Sequence, residues 1–428
     1  MAWDFETDPD FQKELDWIDE FVRSEIEPLR YVIESAYDTR DAKRNKLIKP
    51  LQDIVRKRNL WGCHLGPDLG GPGYGQVKLA LMNEILGRVP GIAPIVFGCQ
   101  APDSGNAEIL AHYGTAAQKE KYLKPLLNNE IVSCFSMTEP QGGADPKAFR
   151  TSAKLEGGQW VINGEKWFSS NARYASFLIV MAVTDPDAAP YRRMSMFIVP
   201  RETPGLEIIR NIGYSAERAP AHGYLRYTDV RVPMDHMLGG RGDAFVVAQT
   251  RLGGGRIHHA MRTIGEARRA LDMMCERALS RETQGERLSE KQMVQEKIAD
   301  SWMELEQFRL LVLRTAWRID RYKDYMKVRK DISAVKALMP KVLHDIAARA
   351  LHVHGSLGIS TEMPFANMVL DSFHMGLADG PTEVHKVTVA RQVLRDYRPS
   401  NDIFPSYHVP TLRDRAFERY GDLVEDVA

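Results

Sequence analysis

Twice along this chain the spacing of apolar residues changes period, and that double switch constrains the fold more than any single motif. Phe11, Leu15, Ile18, Phe21, Val22 and Ile26 recur every three or four residues, the repeat of one helix face, with Pro28 as a stop signal. Residues 43–60 repeat the pattern. After a Gly- and Pro-rich tract at 65–76, read as a connector, it resumes from Lys78 to about Asn128. From 131 to about 238 the period drops to two. TSAKLEGGQWVINGEKWFSS alternates and carries Asn163-Gly164, a dipeptide that predicts a hairpin turn. FLIVMAVT (177–184) and MSMFIVP (194–200) are β-rich runs, and YLRYTDVRVP (224–233) alternates again. After Gly255 helical spacing returns. Val294, Ile298, Trp302, Leu305, Phe308, Val312 and Ala316 share one face of a long predicted helix, and a second stretch runs from about Asp331 to Leu357. This order predicts an α+β protein: a helical domain over 1–130, a β domain over 131–240 and a helical bundle over 241–395. Residues 396–428 begin Pro-rich and end charged, and read as an appended arm suited to an oligomer contact.

Composition removes several function classes. Lys+Arg number 57 and Asp+Glu number 57, so the basic excess of a nucleic-acid or membrane-surface protein is absent. Cysteines 63, 99, 134 and 275 form no CxxC pair, which predicts reduced thiols in a cytoplasmic setting. The acidic start MAWDFETDPD lacks the features of a secretory or transit peptide. No run approaches the ~18 apolar residues of a spanning helix. His258-His259 and His352-x-His354 have no Cys or carboxylate at a familiar zinc spacing, so no metal site is expected.

Four segments carry chemistry: CFSMTEPQGGAD at 134–145, EKWFSSN at 165–171, RETQG at 281–285 and LADGPTEVH at 377–385. Singly they are a polar turn, a strand Trp, a charged turn and an Asp-Gly turn. Together they resemble the flavin-dependent acyl-CoA dehydrogenases, from about residue 5 to about residue 395. The resemblance implies an N-terminal helical domain, a middle β-barrel or sandwich and a C-terminal four-helix bundle, with FAD as cofactor and a homotetramer as the usual assembly. It implies the fatty-acid β-oxidation step that removes two hydrogens from the α and β carbons of an acyl-CoA, with electron-transfer flavoprotein as the acceptor partner. An α C–H beside a thioester is a poor acid, so the step needs a base, a polarised carbonyl and a hydride acceptor.

The resemblance assigns roles by position. Asp379 is the base, where the family more often has Glu. Its backbone N–H and Gly380 sit where the thioester oxygen is bound, and desolvation would raise its pKa. Some relatives carry the base one residue before an arginine resembling Arg256, and here that position is Gly255. Arg256 itself resembles the arginine that places the thioester end. Phe135, Met137, Thr138, Gly143, Trp167, Phe168 and Ser169 match flavin-lining positions. Arg281, Gln284, Gln292, His352, Gly355, Pro381 and Glu383 match further cofactor positions, of which Arg281 and the 352–358 loop reach across from a neighbouring subunit. Gln284 replaces a usual Phe, His352 a usual Gln and Pro381 a usual Thr. Ala144 stands at a substrate position where many relatives have a Ser donor. With Asp379, these departures resemble the acyl-CoA dehydrogenase 10/11-type branch and its bacterial relatives. Two alternatives stay open at this level: a nitroalkane-oxidase-like flavin oxidase of the same fold, and a flavin-free CoA-binding or scaffold protein.

Overall fold

The computed structural model describes residues 5–214, 220–400 and 403–425. Its N-terminal part is helical: α1 (Pro9–Phe21), α2 (Ala42–Lys57), α3 (Gly75–Leu86) and α4 (Asp103–Tyr113), with shorter turns between. Asp8 caps α1 by accepting the Phe11 N–H at 2.9 Å, and Pro9 occupies the first turn, where a missing N–H costs nothing. The predicted stop at Pro28 is softer than expected. α1 continues through a π turn (Val22–Ile26) into a 3-10 turn (Glu27–Tyr31).

The middle part is one eight-stranded sheet. Its strands are β1 (Ser133–Ser136), β2 (Ser152–Glu156), β3 (Gln159–Ser170), β4 (Phe177–Val183), β5 (Met194–Pro200), β6 (Leu206–Ile212), β7 (His222–Pro233) and β8 (Met237–Leu238). The order is β6-β7-β3-β2-β4-β5-β8, with β1 parallel beside β4. The sheet folds over on itself, so Trp160, Ile162 and Tyr227 share one core with Leu178, Val180 and Phe197. The Trp160 and Phe197 rings stand 5.3 Å apart across it. β4 is apolar at every position because both of its faces are covered. Leu178, Val180 and Ala182 enter that inner core. Phe177, Ile179 and Met181 pack outward on Ile109, Leu110 and Val247 of the helices.

The hairpin lies elsewhere than the Asn-Gly signal placed it. β2 and β3 join at Gly157-Gly158, which have φ of 57° and 79°. β3 runs straight through Asn163-Gly164. There Asn163 pairs with β7, accepting the Asp229 N–H at 2.8 Å and donating to its Oδ1 at 3.0 Å. Gly164 lies in a bulge, where a Cβ would come within 2.6 Å of Thr151. Tertiary pairing has overridden the local turn preference.

The C-terminal part holds α5 (Ala244–Ser280), α6 (Gln292–Tyr322), α7 (Arg329–His354), α8 (Phe365–Leu377), α9 (Thr382–Leu394) and α10 (Val409–Glu425). α5 to α8 form the bundle. Its core is continuous with that of α1 to α3, joining Phe11, Ile18 and Met82 to Ile264, Phe308 and Leu343. The buried stripe of α6 is Ser301, Leu305, Phe308, Val312, Thr315, Ala316 and Ile319. Trp302, expected on that stripe, is instead 55% exposed on the outer face. α3 has no capping side chain of its own. Asp320 of α6 accepts the Gln76 and Val77 N–H groups at 2.7 and 3.0 Å, so the bundle caps an N-terminal helix. Among the described residues no helix is long and apolar enough to cross a membrane.

Candidate active site

Asp379 lies in the short link between α8 and α9. The Ala378 N–H closes α8 on His374 O at 2.9 Å. Asp379 then adopts φ 55° and Gly380 φ 106°. A short acidic side chain tolerates the left-handed region, and glycine is needed at the second position. A Cβ on Gly380 would stand 3.0 Å from His385 Nε2. The Asp379 carbonyl accepts from Arg256 Nε at 3.0 Å and faces His385 Nε2 at 3.3 Å. Arg256 thereby holds the backbone of the link, a task its sequence position did not announce. Among the described residues no acceptor takes the Asp379 N–H.

The Asp379 carboxylate lies over a three-residue stripe of α5. Positions 251, 255 and 259 fall one helical turn apart and share a face. Arg251 Nη1 is 3.9 Å from Oδ1, and His259 Nε2 is 3.5 Å from Oδ2. Between them, a Cβ on Gly255 would stand 3.0 Å from Oδ2. The missing side chain is the space the carboxylate uses. Gly253 and Gly254 lie on other faces of α5, where a Cβ would press on Tyr325 and Glu108. Lys336 of α7 is buried and donates to Met375 O at 2.5 Å, which fixes the C-terminal turn of α8.

Burial alone would raise the Asp379 pKa, but His259 in its protonated form, with Arg251, Arg256 and Lys336, more than reverses it and holds it below the ordinary value. The expected rise is corrected. Desolvation was foreseen from sequence, whereas the cations gathered by α5 and α7 were not. Burial also lowers Lys336 to about 8 and His385 to about 4.

The middle sheet supplies the facing wall. The Arg251 guanidinium lies 4.1 Å over the Phe135 ring and donates from Nε to Asn106 Oδ1 at 2.9 Å. β1 is thus tied to the Asp379 site through one side chain. Beyond β1, Met137 and Thr138 are half-buried. The Trp167 N–H donates to Thr138 O at 2.9 Å. Trp167 meets Phe168 edge to face at 4.7 Å. Phe168, at φ 48°, stacks on Tyr214, which stacks at 4.3 Å on His374 of α8. Ser169 turns its hydroxyl into the sheet core, 2.9 Å from Ser136 Oγ, so its side chain does not line the wall.

Two residues inside the quoted motifs had no assigned role and hold the wall together. Lys166 Nζ reaches Glu139 Oε1 at 2.8 Å, and both side chains are buried. Lys166 also donates to Met137 O at 2.7 Å, and Glu139 accepts the Arg150 and Thr151 N–H groups. Burial opposes ionisation of Glu139, but Lys166 and these donors win and lower its pKa. The Thr-Glu-Pro turn and the Lys-Trp strand are therefore one unit. Arg251, His259 and Lys336 were also missed. For the first two, the i−4 and i+4 spacing from Gly255 was the signal available.

Apart from Pro381 and Glu383, which follow Asp379 at the start of α9, the other predicted positions are not brought to Asp379. Gly143 and Ala144 are exposed beyond the 139–142 turn, and Glu383 is exposed beside half-buried Pro381. Arg281, Gln284 and Gln292 are exposed at a small hairpin formed by Glu282–Thr283 and Glu286–Arg287. His352 and Gly355 are exposed at the C-terminal end of α7. From Arg256 to Arg281 along α5 is roughly 37 Å at 1.5 Å per residue. His258 and His354 serve packing, against His64 at 6.3 Å and Phe365 at 4.6 Å.

The link thus presents a recessed carboxylate and a backbone N–H that no described residue accepts, on one and the same residue. The N-terminal, middle and C-terminal domains of acyl-CoA dehydrogenase match residues 9–130, 134–230 and 242–394. The chain is 40% identical over 361 residues to acyl-CoA dehydrogenase family member 11 of Gallus gallus, covering 83% of this chain and 46% of that protein. It is 39% identical over 352 residues to FadE2 of Mycobacterium tuberculosis, covering 81% and 86%. A solved structure from Mycobacterium abscessus agrees at a TM-score of 0.84 and 36% identity, covering 92% of this chain and all of that one. Butyryl-CoA dehydrogenase from Megasphaera elsdenii agrees at 0.78 and 27%, with the same coverage. The chain belongs to the acyl-CoA dehydrogenase family. It spans about half the length of the family member 11 relatives and 37% of family member 10 of Mus musculus.

Proposed function

We propose that this chain binds FAD and removes the α proton and β hydride of an acyl-CoA thioester, giving the trans-2-enoyl-CoA, with Asp379 as the base. The observation that carries this reading is the Asp379 link. One residue offers an ionised carboxylate on its side chain and an uncommitted N–H on its backbone. The N–H suits the thioester oxygen, and the carboxylate suits the carbon next to it.

The wall fits the cofactor. Trp167, Met137 and the Thr138 hydroxyl offer a flat, half-buried surface with one polar edge, and Arg281 is an exposed cation suited to a diphosphate. When bound, FAD supplies the acceptor for the β hydride. Everything else falls to the chain. Arg256 and His385 hold the Asp379 carbonyl, and the space at Gly255 admits the carboxylate. Electron-transfer flavoprotein is the proposed acceptor of the electrons, and a homotetramer the proposed assembly.

Asp379→Asn tests the reading. The variant should keep its FAD and lose ~10²–10⁴ in rate, about 3–5 kcal/mol of transition-state stabilisation. The measurement is anaerobic flavin bleaching by rapid mixing, with the fastest substrate from a panel running from butyryl-CoA to palmitoyl-CoA. Bleaching at the wild-type rate would move proton abstraction to another residue.

A further inference from the structure

His259 has no part in the proposed chemistry so far, yet it is the nearest donor to the proposed base. It follows Gly255 by four residues on α5, and its Nε2 stands 3.5 Å from Asp379 Oδ2. We propose that His259 is the positioning residue of Asp379, its Nε2–H fixing the carboxylate over the Gly255 gap. The inference rests on Asp379 being the base.

The geometry calls for such a residue. An Asp carboxylate is one methylene shorter than the Glu more usual at this place, so it reaches less far from the backbone. Gly255 removes the obstacle, but an empty space does not choose a rotamer. Arg251 lies on the opposite side at 3.9 Å, too far for a hydrogen bond, and its Nε is committed to Asn106. Lys336 is committed to Met375 O, and Arg256 to the Asp379 carbonyl. Of the groups around the carboxylate, His259 is the one whose donor addresses a carboxylate oxygen within reach of a small shift.

The surroundings also set its protonation state. Burial lowers the His259 pKa to about 4, and Arg262, His374 and Lys336 add to that against the opposing pull of Asp379. The ring is therefore neutral at pH 7, with one N–H to place. Asp379 is the acceptor facing Nε2, so the proton belongs there. A neutral donor orients the carboxylate without neutralising it. It also leaves the carboxylate more basic than an imidazolium at the same distance would.

The groups facing Asp379 are Arg251, Arg256 and His259 of α5, Lys336 of α7, His374 of α8 and His385 of α9. Asp103 and Glu108 of α4 face Arg251 from behind. Removing one donor from this set weakens support for the ionised form. His259→Leu should move the acid limb of the bleaching rate to higher pH and lower the rate at pH 7 by about 10- to 100-fold, the cost of a misplaced reacting group. His259→Gln presents an amide N–H near the same point and should keep the limb at the wild-type pH.

The pH profile of anaerobic flavin bleaching is recorded for both variants, with FAD content and thermal midpoint alongside. An acid limb unmoved in His259→Leu, or moved equally in both variants, overturns the proposal. The second result would assign the effect to lost packing. If His259→Leu does not fold, His259→Asn takes its place, because its amide is too short to reach Oδ2, and the same two results overturn the proposal. Asp379→Asn is run beside them. If it bleaches normally, the base assignment fails. If it is inactive while the His259 limb stays fixed, only this inference fails.

Discussion

The smallest decisive feature is a side chain that is absent. Gly255 lies within α5, where glycine costs about 1 kcal/mol against alanine. The fold tolerates that because Asp379 Oδ2 occupies the vacated space. Gly255→Ala should therefore separate stability from activity. The helix gains propensity, so the thermal midpoint should hold or rise, while the displaced carboxylate should cost at least tenfold in flavin bleaching. Equal activity would mean that the carboxylate does not work from this position. A second expectation concerns pH. Asp379 is held below the ordinary carboxylate value, so the base is already ionised in mild acid. The acid limb of kcat/KM, which reports the free enzyme, should lie below about 4, the ordinary Asp value. A limb near 6 in that profile would show that burial outweighs the cations. At this scale the sequence marked Asp379, Gly255 and Arg256 but not their relations. Which cations face a carboxylate depends on how α5 and α7 turn toward the link, and one sequence does not record that rotation.

Elements are joined here by polar groups that local patterns do not reveal. The Thr-Glu-Pro turn and β3 meet through Glu139 and Lys166, a buried pair with hydrogen-bond partners on both sides. Lys166→Met leaves a carboxylate buried without its cation and should destabilise by about 3–5 kcal/mol. Adding Glu139→Gln should restore much of the loss, because the remaining group is neutral. The pH dependence follows from the sign of the shift. Glu139 titrates lower in the folded chain than in the unfolded one, so its contribution is full above the ordinary carboxylate range. That contribution is lost as pH falls through the lowered value. The gap between wild type and Lys166→Met should therefore be widest at neutral pH and close on acidification. Thermal midpoints at fixed protein and FAD concentration measure it, and a pH-independent gap would mean that packing alone is responsible. The same scale shows what periodicity can tell. Strands and long helices were legible because burial repeats every two or 3.6 residues. The Asn163-Gly164 turn was misread because Asn163 bonds to Asp229 across β7, 66 residues away. The Trp302 misplacement has a similar cause. Spacing fixes a stripe only to within about one residue, and the partner helices decide its edge.

For the whole molecule, the two ends of the bundle have different work. The Asp379 end of α5 and α7 is enclosed by α8, α9 and the middle sheet. The far end presents Arg281, Gln284, His352 and Gly355 to solvent. Burial, with a smaller contribution from Arg277 of α5, lowers the His354 pKa there, so the end of α5 lies near the end of α7. If these residues serve a cofactor, it is not the one beside their own Asp379, roughly 37 Å along α5 from Arg281. They suit a diphosphate bound to a neighbouring copy, which makes FAD retention a property of the assembly. The bundle, α9 and α10 also leave Trp302, Trp317, Leu377, Leu394, Phe417 and Leu423 exposed, side chains that a neighbouring copy would cover. The expected state is therefore at least a dimer, with the tetramer as the proposed form. Arg281→Glu reverses one charge at an exposed position, so folding should survive. Each subunit should lose FAD affinity at its neighbour's site, and the apparent Kd for FAD should rise by an order of magnitude or more, since like charges replace a paired one. The titration is read beside light scattering on the same sample. Unchanged FAD affinity in an intact oligomer would remove Arg281 from the cofactor site. A fully flavinated, active monomer of the wild type would remove the shared site altogether.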